Sequence, residues 1–242
     1  MKKETYWSRF SNDFEERNNY VVGKSDIELL LKKVSTLKNL KHVLELGCGN
    51  GTYSKVLAES SDSLLATDLS EEMIEASKKR LKTYTNIKVE KADCFNLPYP
   101  DDHFDTVFMA NLIHIIPNPE NAVRECKRVL KKDGSLIIAS YTQKGMKLRH
   151  KLGLIYRYVK TYGKPPRGGR SFGLNDACNL LSSCGFSIVE SELTGKKSKA
   201  LFIQAQVPGN FSVSTRKKVN IKKKERAARP ENEVSNQQKT KI

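Results

Sequence analysis

The chain has 242 residues, 38% of them apolar and 29% charged, with a formal net charge of +16. At roughly 100–200 residues per domain this is one domain with appendages, large enough to close a core without disulfides or metal. No apolar run approaches the roughly 20 residues that span a bilayer, and residues 1–10 have no apolar stretch behind their lysines, so neither a membrane-spanning nor a secreted protein is expected.

Tyr6, Trp7, Phe10 and Phe14 recur at helical spacing and predict an N-terminal helix that docks on the rest from outside. Lys41–Leu46 reads as a short strand running into the cluster Gly47-Cys48-Gly49-Asn50-Gly51, and residues 52–60 place Tyr53, Val56 and Leu57 on one helix face. A second strand over 63–69 is followed by Ser70 as a helix cap. Glu71 and Glu72 lie in that helix's first turn and Lys78, Lys79 and Arg80 in its last, as the helix dipole favours. Strands follow over 87–93 and 104–111. Asn118 as cap and Pro119 at the first position open a helix carried through Lys132, with Val123, Cys126, Val129 and Leu130 inward. Asp133-Gly134 stops it, and 135–141 is the fifth strand.

Strands separated by helices imply parallel pairing with helices on both faces, because parallel neighbours need a crossover. The rhythm then changes. Residues 175–184 form a helix with Gly185 just past its end, and strands over 186–193 and 199–206 are joined at hairpin length, so the last strand runs antiparallel. Beyond Pro208 the chain turns polar and basic, as a disordered tail does.

Five cysteines without a CxxC pair read as free thiols in a reducing compartment, which predicts a cytoplasmic protein with no metal site. The positive charge sits in two blocks. Residues 143–175 hold nine Lys/Arg and no acid, and residues 209–242 hold ten Lys/Arg against three acids. The remainder is close to neutral.

Open α/β sheets bind ligands at the carboxyl ends of their strands, where Gly47, Gly49 and Gly51 follow the first strand. The loop is not a dinucleotide fingerprint, since Thr52 stands where GxGxxG needs its last glycine, and it lacks the Gly-Lys-Ser/Thr of a P-loop. The string Glu45-Leu-Gly-Cys-Gly-Asn-Gly51 resembles motif I of the class I S-adenosylmethionine-dependent methyltransferases. Thr67-Asp-Leu-Ser70 and Ala92-Asp-Cys94 resemble that family's second and third motifs. The run Leu97-Pro-Tyr-Pro-Asp-Asp-His-Phe-Asp-Thr-Val107, with Asn111-Leu-Ile-His114, is similar to the UbiE-like branch. Val129-Leu-Lys-Lys-Asp-Gly-Ser135 is similar to its RVLKPGG turn, with Lys-Asp in place of Pro-Gly. The resemblance covers roughly residues 40–142. It implies a Rossmann-like, seven-stranded, mostly parallel sheet with S-adenosyl-L-methionine as cofactor.

On that resemblance the cofactor contacts are expected from Glu45, Gly47, Cys48, Gly49, Asn50, Gly51, Asp68, Leu69, Asp93, Cys94 and Asn111. Asp68 suits the ribose hydroxyls, and Asp93, with the Cys94 and Phe95 amides, the adenine. Glu45 either accepts from the ligand's ammonium or braces the loop. Asn111 either faces the sulfonium or merely forms a turn. Methyl transfer is an in-line displacement from an activated donor, so the protein chiefly aligns the acceptor and excludes water. A general base is needed only if the acceptor must lose a proton. His114, just past the fourth strand, is the candidate, with plain packing as the alternative reading. His42 and His103 lie at the wrong edge, and His150 in the basic segment.

Three divisions are expected: an N-terminal helical lid at 1–24, a methyltransferase domain at 25–208 and the basic tail at 209–242. Tyr6, Trp7 and Tyr20 are candidates to close over the cofactor, although Trp7 and Phe14 read better as packing. Inside the domain, 143–174 is a basic, substrate-side insertion whose Leu148, Leu152, Ile155, Tyr156 and Val159 form a helical apolar stripe. Its cations point to a small anionic acceptor, or else form a solvated face. The alternatives are an RNA (tRNA or rRNA) methyltransferase that docks nucleic acid through the basic 143–174 segment and the tail, and a cofactor-binding homologue without activity. No membrane partner is expected, and the oligomeric state is left open.

Overall fold

A computed structural model describes residues 4–165 and 171–209. The basic tail, apart from Gly209, and the cations Arg167 and Arg170 lie outside the described residues. The core is a sheet of β1 (Lys41–Leu46), β2 (Ser61–Asp68), β3 (Ile87–Lys91), β4 (Phe104–Ala110), β5 (Leu130–Thr142), β6 (Ser187–Thr194) and β7 (Lys199–Gln206), in the order β3-β2-β1-β4-β5-β7-β6. The pairs β1–β2, β2–β3, β1–β4 and β4–β5 are parallel, and β7 is antiparallel to both β5 and β6. Strand order reverses between β1 and β4, which leaves a crevice at their carboxyl ends.

Alternation along β4 shows how the two faces fill. Val107 and Met109 join Leu44, Leu46, Leu136 and Ile138 in one cluster, which α6 (Pro119–Val129) and α8 (Leu174–Ser183) cover with Val123, Cys126, Ala177 and Leu181. Phe108 and Ala110 join Val43, Ile137 and Ala139 in the other, covered by Leu30 and Val34 of α3 (Lys24–Ser35) and Tyr53 and Leu57 of α4 (Thr52–Ala58). Between β2 and β3 runs α5 (Glu71–Leu81), whose cap Ser70 accepts the Met73 N–H as expected.

Several expectations need correction. The N-terminal helix is two short ones, α1 (Glu4–Ser8) and α2 (Phe14–Asn18), separated by turns at Phe10 and Asp13, and a π-helical turn (Asn19–Gly23) leads into α3. Ser11-Asn12-Asp13 explains the break, since these side chains compete for backbone partners. The helix expected through Lys132 ends at Val129. Buried Leu130 is extended and pairs with Phe104, so burial against a neighbouring strand overrides helix continuation. Residues 131–134 then bulge, with Asp133 at φ 60°, before Ser135 pairs with Thr106. Asn118 precedes α6 without a side-chain cap bond, leaving Pro119 as the start signal.

The segment expected to lid the site packs on α7 (Leu148–Tyr162). Tyr6, Val21, Val22 and Ile27 bury with Tyr162, the Tyr6 hydroxyl donates to the Tyr162 carbonyl at 3.1 Å, and Arg157 Nε donates to the Val21 carbonyl at 3.0 Å.

Candidate active site

The loop after β1 carries positive φ at Gly47 (70°), Gly49 (54°) and Gly51 (79°), a region that side chains rarely adopt. The three glycines face different surroundings. A Cβ on Gly47 would lie 3.2 Å from the Leu112 side chain, and one on Gly51 would lie 2.9 Å from Ser77 Oγ and 3.0 Å from Leu81 Cδ1. A Cβ on Gly49 would meet nothing within 4 Å. Gly47 and Gly51 therefore let protein pack closely on the loop. Gly49 presents bare backbone to open space.

Asp68, at the end of β2, holds this loop. Its Oδ2 accepts the Gly49 N–H at 2.9 Å and its Oδ1 the Ser70 N–H at 2.9 Å. Each carboxylate oxygen can take a second donor, so two hydroxyls can still be accepted. Burial holds the Asp68 carboxyl above its ordinary range, despite the backbone donors that favour its charge. Leu69 is partly exposed beside it. Asp93, past β3, is exposed and accepts the Phe95 N–H with Oδ1 at 3.0 Å. Its neighbour Cys94 is half-buried, and burial pushes that thiol up to about 12.

Beneath the loop lies Glu45, only 1% exposed. Its Oε2 accepts the Ser54 hydroxyl at 2.5 Å, while Oε1 is buried with no hydrogen-bond partner among the described residues. Desolvation, helped by the nearby Asp68 charge, raises the carboxyl to about 7. Ser54, one turn into α4, was missed in the sequence, where nothing distinguishes it from any helix serine.

The structure gives Cys48, Asn111, Tyr6 and Trp7 partners within the protein. Cys48 is buried with Sγ 3.9 Å from Ser77 Oγ, its N–H donates to the Thr67 carbonyl at 2.9 Å, and its carbonyl accepts the Gly51 N–H at 3.0 Å. The Cys48 thiol and N–H are thus engaged within the protein. Asn111 sits at φ 54°, a region its short polar side chain tolerates. Its Oδ1 accepts the Tyr141 N–H at 3.0 Å, so the side-chain carbonyl ties β4 to β5. Tyr6 and Trp7 belong to the aromatic cluster with Tyr162, leaving Tyr20, 48% exposed, as the open aromatic of that segment.

Asn50 is buried and its Oδ1 accepts the Thr52 hydroxyl at 2.8 Å. With Asn12, Asp13, Glu15, Glu16, Asn19 and Arg80 it lines a cleft of about 400 Å³. This cleft is polar, and Asp68, Asp93 and Glu45 do not line it. A hydrogen bond of 2.8 Å between Ser8 and Ser70, and an ion pair of 2.6 Å between Glu15 and Arg80, hold the N-terminal segment to the end of β2 and to α5.

His114 shares a 2.7 Å hydrogen bond between Nδ1 and Ser140 Oγ on β5, and burial lowers its pKa to about 4. At neutral pH the ring is uncharged and weakly basic. The Ser140 contact depends on β4–β5 register, which local sequence does not carry.

The apolar stripe on 143–174 faces solvent. Leu148 is 71% exposed, Leu152 58%, Tyr156 64% and Val159 50%. The inner side of α7 is filled by Tyr158, Tyr162 and the bonded Arg157.

Residues 44–138 match the methyltransferase domain family. Among curated proteins, the chain is 26% identical over 189 residues to an uncharacterized protein of Methanocaldococcus jannaschii, covering 78% of this chain and 82% of that one. It is 33% identical over 102 residues to the demethylmenaquinone methyltransferase of Clavibacter sepedonicus, covering 42% of each chain. It is 30% identical over 131 residues to the ubiquinone/menaquinone biosynthesis C-methyltransferase UbiE of Azotobacter vinelandii, covering 51% and 50%. The chain thus spans about half the length, or less, of these two quinone methyltransferases. Among solved structures, a SAM-dependent methyltransferase of Thermotoga maritima superposes with a TM-score of 0.65 at 22% identity, covering 84% of this chain and 99% of that one. One from Aquifex aeolicus gives 0.60 at 20%, covering 86% and 100%. Residues 44–138 thus carry a methyltransferase domain, on the fold of the class I S-adenosylmethionine-dependent methyltransferases, a family that implies S-adenosyl-L-methionine as cofactor.

The residues present fit that group. The open Gly49 backbone, the spare acceptor capacity of Asp68 and the unpartnered Oε1 of Glu45 suit a ligand that joins ribose hydroxyls to an ammonium.

Proposed function

We propose that this protein catalyses methyl transfer from S-adenosyl-L-methionine to a small anionic acceptor at the carboxyl ends of β4 and β5. The observation that carries the reading is the junction of Gly49 and Asp68, where unobstructed backbone is locked to an acid with acceptor capacity to spare. When bound, the cofactor supplies an electrophilic methyl group on a positively charged sulfur.

The chain's own work is alignment. Asp68 would accept the ribose hydroxyls, with Leu69 as an apolar wall, and Asp93 would accept the adenine amine. Glu45 Oε1 would take up the ammonium, which favours its ionised form. Asn111, bound to the Tyr141 N–H, fixes the turn that carries Leu112 against Gly47. His114 is held neutral by burial and positioned by its bond to Ser140, so it would orient an acceptor by hydrogen bonding. It would remove a proton only from a group already acidic enough for a weak base. Exposed cations before and along α7, with no acid from 143 to 175, raise the local concentration of anions at this edge. The N-terminal segment, fastened at Ser70 and Arg80, would serve as the lid.

The test is transfer of a labelled methyl group to fractionated cell extract. Label in anionic low-mass products is expected. Label in RNA or protein alone would overturn the acceptor class.

A further inference from the structure

The outer face of α7 has no partner among the described residues. Leu148, Leu152, Ile155, Tyr156 and Val159 follow one another at helical spacing along one face, and all are exposed. Single exposed apolar residues need no explanation, but five in one stripe form a patch that marks an interaction site. The helix cannot turn this face inward, because its other side holds the N-terminal segment through Arg157, Tyr158 and Tyr162.

Charge selects the occupant. Lys144, Lys147, Arg149, Lys151, Lys160 and Lys164 lie on or beside the helix, and none is ion-paired among the described residues. A second copy would bring like charges together across a two-fold axis. The chain's own last 34 residues, with ten Lys/Arg against three acids, carry the same sign and would be repelled. Nucleic acid would answer the cations and leave the leucines and valine unused. An anionic lipid surface answers both, with the apolar stripe at the acyl boundary, Tyr156 at headgroup level and the cations among the phosphates.

We propose that α7 is an interfacial helix that docks this protein on anionic lipid surfaces, lying in the plane of the membrane. No described helix is long and apolar enough to cross a membrane, and lying on the surface requires only one such face. The inference does not depend on methyl transfer.

The experiment is co-sedimentation of the full chain with phosphatidylcholine vesicles, with and without about 30% phosphatidylglycerol. Binding should be at least about tenfold stronger to the anionic vesicles and should weaken with salt. The double variant Leu152→Asp, Val159→Asp should lose at least about tenfold in affinity, with an unchanged melting temperature confirming its fold. Tyr156→Trp should show a blue-shifted emission on the anionic vesicles. Absence of binding to them would overturn the proposal. So would equal binding by the double variant, which would leave docking to the basic tail. A dimer dissolved by the aspartates, without vesicle binding, would assign the stripe to a second copy and overturn it too.

Discussion

The loop after β1 and helix α7 both leave the same edge of the sheet, yet they are built in opposite ways. The loop is held from within: Cys48 is tied at both its N–H and its carbonyl, and Gly49 is tied to Asp68. Among the described residues, Oε1 of Glu45 is buried without a hydrogen-bond partner and the space over Gly49 is empty. On α7 one face is bonded and the other leaves a row of apolar side chains in water. A pre-formed cradle for a small ligand needs the first arrangement, since binding then costs little ordering. The second suits a broad surface, where precise placement matters less than area and charge.

The comparison breaks first at Gly49. Gly49→Val should weaken S-adenosylhomocysteine binding by at least about 100-fold, because the new side chain fills the open space. Isothermal titration measures this, and near-normal affinity would move the ligand elsewhere. Two residues on, Gly51→Ala should cost about 2–4 kcal/mol of stability, since its Cβ meets Ser77 and Leu81 at a left-handed φ. Chemical denaturation reads that loss, and the folded fraction should still bind.

Glu45 sharpens the contrast through pH. Its folded pKa of about 7 lies above the ordinary 4.5, so burial penalises the folded state increasingly as pH rises through that window and by a constant amount above it. Glu45→Gln should therefore raise the ligand-free melting temperature at pH 8. Ligand affinity should fall about tenfold from pH 8 to pH 6 in the parent chain, as the carboxylate that meets the ammonium takes up a proton, and stay flat in the variant. The smallest effect is expected on α7, where Leu152→Asp should change stability by no more than about 0.5 kcal/mol, because its side chain supports nothing in the fold.

Much of this is legible in the sequence. Alternation of strands with helices and the hairpin-length link at the end give parallel pairing with an antiparallel last strand through local rules, while the seven-stranded sheet follows from the family resemblance. What stayed hidden depends on contacts distant in sequence. Leu130 looks like the end of a helix until its pairing with Phe104 is known. Cys48 and Gly49 are neighbours in one motif, and only the loop's path shows that the thiol turns into the core while the glycine faces outward. Helix α3, with Ile27, Leu30 and Val34 at clear spacing, was readable but lay ahead of the first recognised strand. Periodicity located the stripe on α7 correctly. It could not say whether protein covers it, because helical spacing reports that a face exists and not what meets it.

Calorimetric titration of S-adenosylhomocysteine into the wild-type chain and into Asp68→Ala is the most direct test of the cradle. The account predicts measurable, saturable heat with the parent and at least about a tenfold weaker interaction in the variant, which loses the acceptor for two hydroxyls. Equal binding by both chains, or no heat from the parent, would contradict it.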